Sequence, residues 1–346
     1  PVPVAVIDTG VDYTHPDLAA NIWTNPGEIP GNGADDDGNG YVDDIHGWDF
    51  VNGDSDPMDA NGHGTHIAGT IGAVADNGIG IAGVSPNARL MALKALDANG
   101  HGYMDNAIEA LLYAAGTGAA VANASWGGAG DSLAFRDALA AADTAEVLLV
   151  ASAGNDGADS DQTPHYPAAY TAANLIGVAA TDASDTLAAF SNFGPTTIEL
   201  AAPGKGILST HPGNTYLERS GTSMAAAHVA GALTVLIGSD PNGPHRAIAD
   251  RLNSGTDPLP ALLGKVAADG RLNLRRALAT TGHYLGADFE VSEGIPTDGN
   301  AIPVVRISGP STAEIGGLDA DFNTYTFTAE ASDPDGDPLP YTWFKG

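Results

Sequence analysis

The sequence contains no cysteine, and only 13 of its 346 residues are lysine or arginine. The absence of thiols excludes disulfide bonds and thiolate metal sites, so the fold must be held by its core or by hard cations bound to oxygen. No apolar run approaches the length of a membrane-spanning helix, and the first residues, "PVPVAVIDTG", lack the features of a signal peptide. We therefore expect no membrane segment and, if the protein is secreted, a processed chain.

Negative charge is abundant, since 43 aspartates and glutamates give a net charge of -30. This charge repels nucleic acid and anionic membranes, so neither is an expected partner. Many aspartates fall within residues 35–59, a density that requires solvation or bound cations. Adaptation of the whole surface to salt is a second explanation, and the sequence does not choose between them.

Short apolar runs alternate with alanine-rich helical patterns over residues 1–280. The predicted strands are 4–7, 89–95, 121–125, 147–152, 175–179 and 199–201, and the predicted helices are 63–74, 105–116, 131–143, 223–237, 244–252 and 271–279. Apolar strands separated by helices predict an α/β fold with a mostly parallel sheet flanked by helices. Sites in such sheets form at the carboxyl ends of the strands.

The chain is predicted to contain two domains. Residues 1–282 form the α/β domain, and residues 283–303 are acidic, rich in glycine and proline, and typical of a linker. Residues 304–346 alternate like the strands of an antiparallel sandwich, and we interpret them as a partial Ig-like or PKD-like β module.

Three short segments each present a reactive side chain. Asp8 follows an apolar strand in "VPVAVIDTG", His63 lies between glycines in "NGHGTHIAG", and Ser223 begins a helix in "GTSMAAAHVAG". Each residue taken alone is more often a turn former, a structural histidine or a helix cap. The order Asp, His, Ser with all three flanking patterns instead indicates a nucleophilic triad.

These motifs resemble those of the subtilisin-type serine proteases, the subtilases, over residues 1 to about 280. The resemblance implies a mostly parallel α/β fold, secretion and endopeptidase activity. It also implies that Ser223 attacks the scissile carbonyl, His63 moves the proton, and Asp8 orients His63. Asn155, in "VASAGNDG", is implied to donate to the oxyanion together with the Ser223 N–H.

The same resemblance predicts the substrate groove. Ser125, Trp126 and Gly127 line the primary pocket, and Gly100, Gly102 and Tyr103 form the opposite edge of an extended peptide site. His165 matches a position at the pocket base where many relatives carry a small residue. A bulky histidine predicts a shorter or more polar pocket than the one that accepts large apolar side chains.

The segment "DDDGNGYVDD" has the ligand spacing of the first three quarters of an EF-hand calcium loop. The predicted ligands are Asp35, Asp37, Asn39, the Tyr41 carbonyl and Asp43, with Asp44 as a candidate to complete the set. His46 stands where the loop would carry its bidentate glutamate. The alternative interpretation is a solvated acidic loop.

Further calcium sites rest on the resemblance alone. One combines Asp17 with the Asn77 side chain and the carbonyls of Ala75, Ile79 and Ile81; a second uses Asp49, Asp54 and Asp56; a weaker one uses Glu199 with the carbonyls of Ala168 and Tyr170. We therefore expect calcium as a structural cofactor at two or more sites.

The sequence departs from the family pattern at two places. Asp8 is close to the start of the chain, whereas relatives usually carry a longer segment that also supplies one ligand of the strong calcium site. Ala227 replaces the proline found four residues after the nucleophile. Because proline fixes φ and has no N–H, alanine is expected to relax the helix start, a change similar to one that favours peptide ligation.

The leading hypothesis is a secreted, monomeric endopeptidase that acts on peptides or proteins through an acyl-enzyme on Ser223. The first alternative is acyl transfer to peptide amines, which Ala227 motivates. The second is a calcium-dependent binding protein with an impaired protease fold, which the acidic loops and the C-terminal module motivate.

Overall fold

The computed structural model describes residues 1–279 and three later strands, 289–291, 304–308 and 328–332. Two compact units divide the chain, Pro1–Thr280 and Thr281–Gly346. The first unit contains all the residues implicated above.

A nine-stranded sheet forms the centre of the first unit, in the order β10-β11-β7-β6-β5-β4-β1-β3-β2. Its strands are β1 (Pro3–Asp8), β2 (Gly47–Asp49), β3 (Arg89–Lys94), β4 (Val121–Ala124), β5 (Leu148–Ser152), β6 (Leu175–Thr181), β7 (Leu200–Pro203), β10 (Asp257–Pro258) and β11 (Gly270–Arg271). All neighbours pair in parallel except β10 with β11. The predicted mostly parallel α/β fold is confirmed.

Alternate strand residues face two separate cores, as expected for strands with both faces buried. On β1, Val4 and Val6 pack into one core with helices α1 (His63–Gly72), α4 (Thr222–Ser239), α5 (His245–Ser254) and α6 (Leu274–Ala279). Ala5 and Ile7 pack into the other with α2 (Met104–Gly116) and α3 (Leu133–Thr144). The first unit therefore has three layers, with the sheet in the middle.

Helix α4 lies in the interior of its core, because it is apolar on almost every side. It is long and apolar enough to cross a membrane, with a mean hydropathy of 1.4, but 78% of that stretch is buried inside the fold. Such composition is typical of an enclosed core helix. Its first residues are buried at the carboxyl edge of the sheet, and its exposed residues, Gly238 and Ser239, lie at its C-terminal end.

A hairpin that the sequence analysis missed joins the sheet to α4. Strands β8 (Ile207–His211) and β9 (Thr215–Arg219) pair antiparallel around "PGN". The Ser209 hydroxyl donates to the His66 carbonyl at 2.7 Å, and Thr210 donates to the Thr65 carbonyl at 2.7 Å. The hairpin is thereby fastened to helix α1.

His66 adds a second fastening between α1 and the hairpin. Its Nε2 lies 3.1 Å from the Ile207 carbonyl and 3.0 Å from the Leu217 carbonyl, so this nitrogen carries the hydrogen. Burial lowers the pKa of His66 to about 4, which keeps the ring neutral.

In the second unit, the described strands β12 (Phe289–Val291), β13 (Val304–Ser308) and β14 (Thr328–Ser332) form an antiparallel sheet. The rest of the predicted linker and β module lies outside the described residues. The boundaries at 282 and 303 stay predictions.

We expect Gly69→Ala to destabilise the protein by about 1–3 kcal/mol, because the helix and the hairpin are in close contact there. A methyl group on Gly69 would overlap the hydroxyls of Ser209 and Thr210 and lie 3.0 Å from the Thr210 nitrogen. Gly116→Ala is the matched control, since a methyl group there meets no atom within 4 Å. Thermal unfolding of both variants tests the contact, and equal melting temperatures would contradict it.

Candidate active site

Asp8 ends strand β1 at the carboxyl edge of the sheet and is fully buried. Its Oδ1 accepts a hydrogen bond from the Thr9 N–H at 2.8 Å and lies 2.7 Å from His63 Nδ1. Because a carboxylate only accepts, Nδ1 of His63 carries the hydrogen. The neutral ring therefore presents Nε2, its second nitrogen, as a proton acceptor.

His63 is the first residue of helix α1 and follows Gly62, whose φ of 96° suits glycine. Burial lowers the pKa of His63, but the charge of Asp8 and the hydrogen bond to it outweigh burial, so the pKa lies above its ordinary value. The Asp8 carboxylate thus stabilises the protonated ring.

Asp59 holds the segments that carry these two residues, and sequence reasoning did not identify it. Its carboxylate accepts from the Thr9 hydroxyl at 2.9 Å, from the Gly62 N–H at 2.8 Å and from the Thr65 hydroxyl at 2.6 Å. The N–H groups of Asn61 and Thr65 also donate to it. The signal in the sequence that could have identified Asp59 is an aspartate just before the start of a helix, four residues before His63.

Ser223 is the second residue of α4 and is 8% exposed. Its hydroxyl donates to the Ser125 carbonyl at 3.1 Å, while the Ser125 hydroxyl donates to the Ser223 carbonyl at 3.0 Å. This reciprocal pair fastens the start of α4 to the end of β4. In this conformation the Ser223 hydroxyl is bonded to Ser125 and not to His63, so it must rotate before it can transfer a proton to the ring.

Asn155 follows β5 and has an exposed side chain. Its Oδ1 accepts from the Thr222 N–H at 2.9 Å and from the Thr222 hydroxyl at 3.2 Å. Because the amide oxygen is occupied by the residue before Ser223, the amide NH₂ is the group left to donate to a ligand.

A cleft of about 300 Å³ is lined by most of the residues of the predicted groove. Of the residues predicted to bind substrate, it contains Gly100, Gly102, Tyr103, Trp126 and Gly127, and it adds Leu96, His101, Met104, Ala107, Gly128, Gly130 and Tyr166. Tyr103 is 80% exposed at its rim. A larger cavity of about 370 Å³ lies between α3 and α5, and neither cavity is lined by Asp8, His63 or Ser223.

His165 lies between the two segments that flank the predicted primary pocket. A methyl group on Gly127 would meet its Nε2, and one on Gly154 would lie 3.0 Å from its Cγ. Burial lowers the pKa of His165, although the charge of Asp156 opposes this. The ring therefore occupies the space between Gly127 and Gly154 in its neutral form.

Three carboxylates converge beneath the acidic loop. Glu28, Asp37 and Asp44 each place an oxygen within 4.8 Å of the others, and Glu28 and Asp44 are buried. In the part of the chain that the structure describes, no lysine or arginine forms a salt bridge with them. Converging buried carboxylates without a positive partner fit an oxygen-ligated cation.

This cluster differs from the predicted ligand set. Asp35 accepts the N–H groups of residues 38, 39 and 40, and Asp43 accepts those of residues 31, 32 and 33. Asn39 donates to Asp37 and Asp44, and its oxygen accepts the Tyr41 N–H. Glu28, outside the EF-hand-like segment, joins Asp37 and Asp44 in the cluster instead.

The other predicted calcium residues fall into two groups. Asp17 is buried against the loop of Ala75, Asn77, Ile79 and Ile81, and it accepts from the Asn77 amide at 2.6 Å and the Ile81 N–H at 3.0 Å. Asp49 pairs with Lys94 at 2.6 Å, while Asp54 and Asp56 accept the N–H groups of Asp56 and Met58. Because Lys94 already neutralises Asp49, the structure gives the site at Asp49 no support, and both sites stay predictions.

Comparisons with known proteins bear on these observations. The model of the Subtilase family matches residues 2–277. The "Thermophilic serine proteinase" of Bacillus sp. (strain AK1) is 44% identical over 233 residues, which are 67% of this chain and 51% of that protein. "Thermitase" of Thermoactinomyces vulgaris is 38% identical over 280 residues, 80% of this chain and 88% of thermitase. The chain thus spans about half the length of the first relative and most of the second.

A solved structure is similar as well. The crystal structure of a cold adapted subtilisin-like serine proteinase matches with a TM-score of 0.62 and 31% identity, over 79% of this chain and 86% of that one. The family resemblance read from the motifs around Asp8, His63 and Ser223 is confirmed. This chain belongs to the subtilase family.

Proposed function

We propose that this protein is a secreted serine endopeptidase that hydrolyses peptide bonds through an acyl-enzyme on Ser223. The observation that carries the proposal is the hydrogen bond of 2.7 Å between buried Asp8 and His63. It sets one tautomer of His63 at the sheet edge where α4 presents a serine. Burial and this pairing produce a base suited to deprotonating a hydroxyl.

In the first step, Ser223 Oγ attacks the scissile carbonyl and its proton passes to Nε2 of His63. The positive ring is stabilised by Asp8, and His63 then gives the proton to the leaving amine, whose C–N bond breaks. Water repeats the sequence on the acyl-enzyme and releases an acid. The rotation of Ser223 away from Ser125 precedes attack, and substrate in the cleft favours it by bonding the nearby backbone.

Two donors suit the oxyanion. The N–H of Ser223 lies in the first turn of α4, where amides are free of helical partners and the dipole favours negative charge. The Asn155 amide NH₂ supplies the second donor, because its oxygen is held by Thr222. Each such donor contributes roughly 10²- to 10³-fold in rate.

The proposed substrate is an extended segment of peptide or protein. Gly100, Gly102 and Tyr103 on one side and Ser125, Trp126 and Gly127 on the other can add backbone hydrogen bonds to it. The His165 ring shortens the primary pocket between them. A small or polar side chain before the cleaved bond therefore fits better than a large aromatic one.

Calcium is proposed as a structural cofactor. Glu28, Asp37 and Asp44 would hold one ion, with Asp35, Asp43 and the Asn39 and Tyr41 groups shaping the loop around it. A second ion would be held by Asp17 with the residue 75–81 loop. A bound cation neutralises converging charge and stabilises the native state only.

No specific observation favours either alternative function. Helix α4 runs through Ala227, which is fully buried, so its N–H can bond the Ser223 carbonyl that Ser125 already contacts. These contacts support a fixed position for Ser223, and the Asp8–His63 pair supports hydrolysis. We accordingly propose hydrolysis by a monomer whose α/β domain spans residues 1–282, ahead of a linker and a β module.

We expect Asp8→Asn to lower kcat by about 10⁴-fold, because the amide cannot hold His63 in the same tautomer or stabilise its charge. The pKa of His63 should also fall, since the charge of Asp8 no longer opposes the effect of burial, so the acid limb of the residual kcat/KM profile moves to lower pH. Steady-state kinetics on a quenched peptide across pH give both readouts.

The exposed Asp137→Asn is the control for loss of one negative charge, and it should leave both values unchanged.

Ser223→Ala should abolish cleavage and labelling by a fluorophosphonate. Mass spectrometry of the products should show free acids even with an excess of peptide amine. Unlabelled wild-type protein, or predominantly joined peptides, would overturn the proposed hydrolysis.

Replacing His165 by glycine should deepen the primary pocket. We expect kcat/KM for peptides with Phe or Tyr before the cleaved bond to rise by roughly tenfold relative to the Ala peptide, because buried apolar groups discriminate at this scale. His165→Ala should behave in the same direction. A wild-type preference for aromatic side chains that neither variant changes would show that the ring does not limit the pocket.

Removing calcium should lower the melting temperature. If free calcium stands at about 100-fold its Kd, binding stabilises the native state by about 2.7 kcal/mol. Asp37→Asn should reduce this gain, because Asp37 is the exposed member of the cluster and its loss disturbs folding least; Asp137→Asn should not. Melting curves with calcium and with chelator measure this stabilisation, and superimposable curves would show that calcium does not stabilise the fold.

A further inference from the structure

Arg219 is the last residue of β9, four residues before Ser223. It pairs with Ile207 and shares a hairpin face with Leu217 and Ser209. Ser209 and its neighbour Thr210 both bond carbonyls of helix α1, so this part of the hairpin lies against the helix that carries His63. Arg219 is half-buried, and its Nε is fully buried with no hydrogen-bond partner among the described residues.

Arg219 also lacks a carboxylate partner among the described residues, although the chain is strongly acidic. Acidic residues outnumber lysine and arginine 43 to 13. Five other arginines form salt bridges with aspartates, namely Arg136, Arg246, Arg251, Arg271 and Arg276. Within residues 1–279, no acidic group comes within salt-bridge distance of Arg219.

The carboxylates nearest to His63 are already occupied. Asp8 pairs with His63, and Asp59 accepts bonds from Thr9, Gly62 and Thr65. Glu218 adjoins Arg219 in the chain, but successive side chains of a strand point to opposite faces. The charge of Arg219 instead acts on His63 and His66 and opposes their protonation. The guanidinium is therefore an uncompensated cation next to the general base.

We propose that Arg219 is a specificity-determining residue that binds a side-chain carboxylate of the substrate on the leaving-group side of the cleaved bond. This inference rests on the proposed function and names a substrate class for it, namely segments with Asp or Glu just after the cleaved bond. A guanidinium donates two parallel hydrogen bonds to a carboxylate, which makes it selective for this partner over an amide.

The chemistry of His63 indicates on which side of the cleaved bond Arg219 lies. The acyl half of the substrate is held near Ser125, Gly127 and Asn155, at the ends of β4 and β5. His63 delivers its proton to the leaving amine, so the leaving half must pass the α1 side of Ser223. The hairpin covers that side. An acidic leaving segment meets Arg219 there, while the chain's overall charge of -30 repels acidic peptides elsewhere.

The test uses four quenched peptides with the same acyl half and an amidated C-terminus, which removes the terminal carboxylate as a competing ligand. They carry Asp, Glu, Asn or Gln directly after the cleaved bond. For wild type we expect kcat/KM to be about tenfold higher for each acid than for its amide, the scale of a charge-assisted hydrogen bond. Added salt should reduce the ratio.

Arg219→Gln should bring the acid-to-amide ratio to about one or below, and Arg219→Lys should give an intermediate ratio, because an ammonium lacks the planar fork. Lys205→Gln is the matched control, since it removes one positive charge from an exposed site and should keep the wild-type ratio. Equal cleavage of acids and amides by wild type overturns the proposal. A preference that persists in Arg219→Gln overturns it as well.

A binding measurement separates failure of this inference from failure of the proposed function. If no peptide is cleaved, the endopeptidase proposal fails, and the Ser223→Ala protein still reports on Arg219. Fluorescence anisotropy then compares amidated leaving-half peptides that begin with Asp or Asn. Tighter binding of the Asp peptide that Arg219→Gln abolishes supports the role of Arg219, and equal binding of both peptides overturns it.

Discussion

The enclosure of helix α4 is the constraint on which the site depends. Its apolar surface must be buried on nearly every side, which fixes the position of the whole helix, including the first turn that carries Ser223. That turn emerges at the carboxyl edge of a parallel sheet, beside the ends of β1, β4 and β5. The reciprocal hydrogen bonds between Ser125 and Ser223 then fasten the helix start to β4. Core packing thereby decides where the serine lies, and hydrogen bonds decide its orientation.

Excess negative charge is handled locally in three different ways. Asp35 and Asp43 accept backbone N–H groups, which lets carboxylates stay ionised without a cation. Asp49 is neutralised by Lys94. Glu28, Asp37 and Asp44 have no such positive partner among the described residues, and this is why they are the better candidates for calcium. The same reasoning applies to Arg219, because its buried Nε has no hydrogen-bond partner and its charge has no carboxylate partner among the described residues.

Different interactions select the two halves of the proposed substrate. On the acyl side, the His165 ring fills space between Gly127 and Gly154, so selection there is steric. On the leaving side, the hairpin bonded to His66 brings a guanidinium toward His63, so selection there is electrostatic. Both features lie on segments that only the folded chain brings to Ser223.

The sequence alone determined the parallel α/β fold, because short continuous apolar runs and helical repeats are local signals that core burial reinforces. It also determined the motifs of Asp8, His63, Ser223 and Asn155. The tertiary structure decided the rest: the β8–β9 hairpin, the five bonds on Asp59, the inclusion of Glu28 in the acidic cluster, and the pairing of Asp49 with Lys94. These depend on contacts between residues far apart in the chain, and spacing along a sequence carries no information about which distant side chain neutralises a charge.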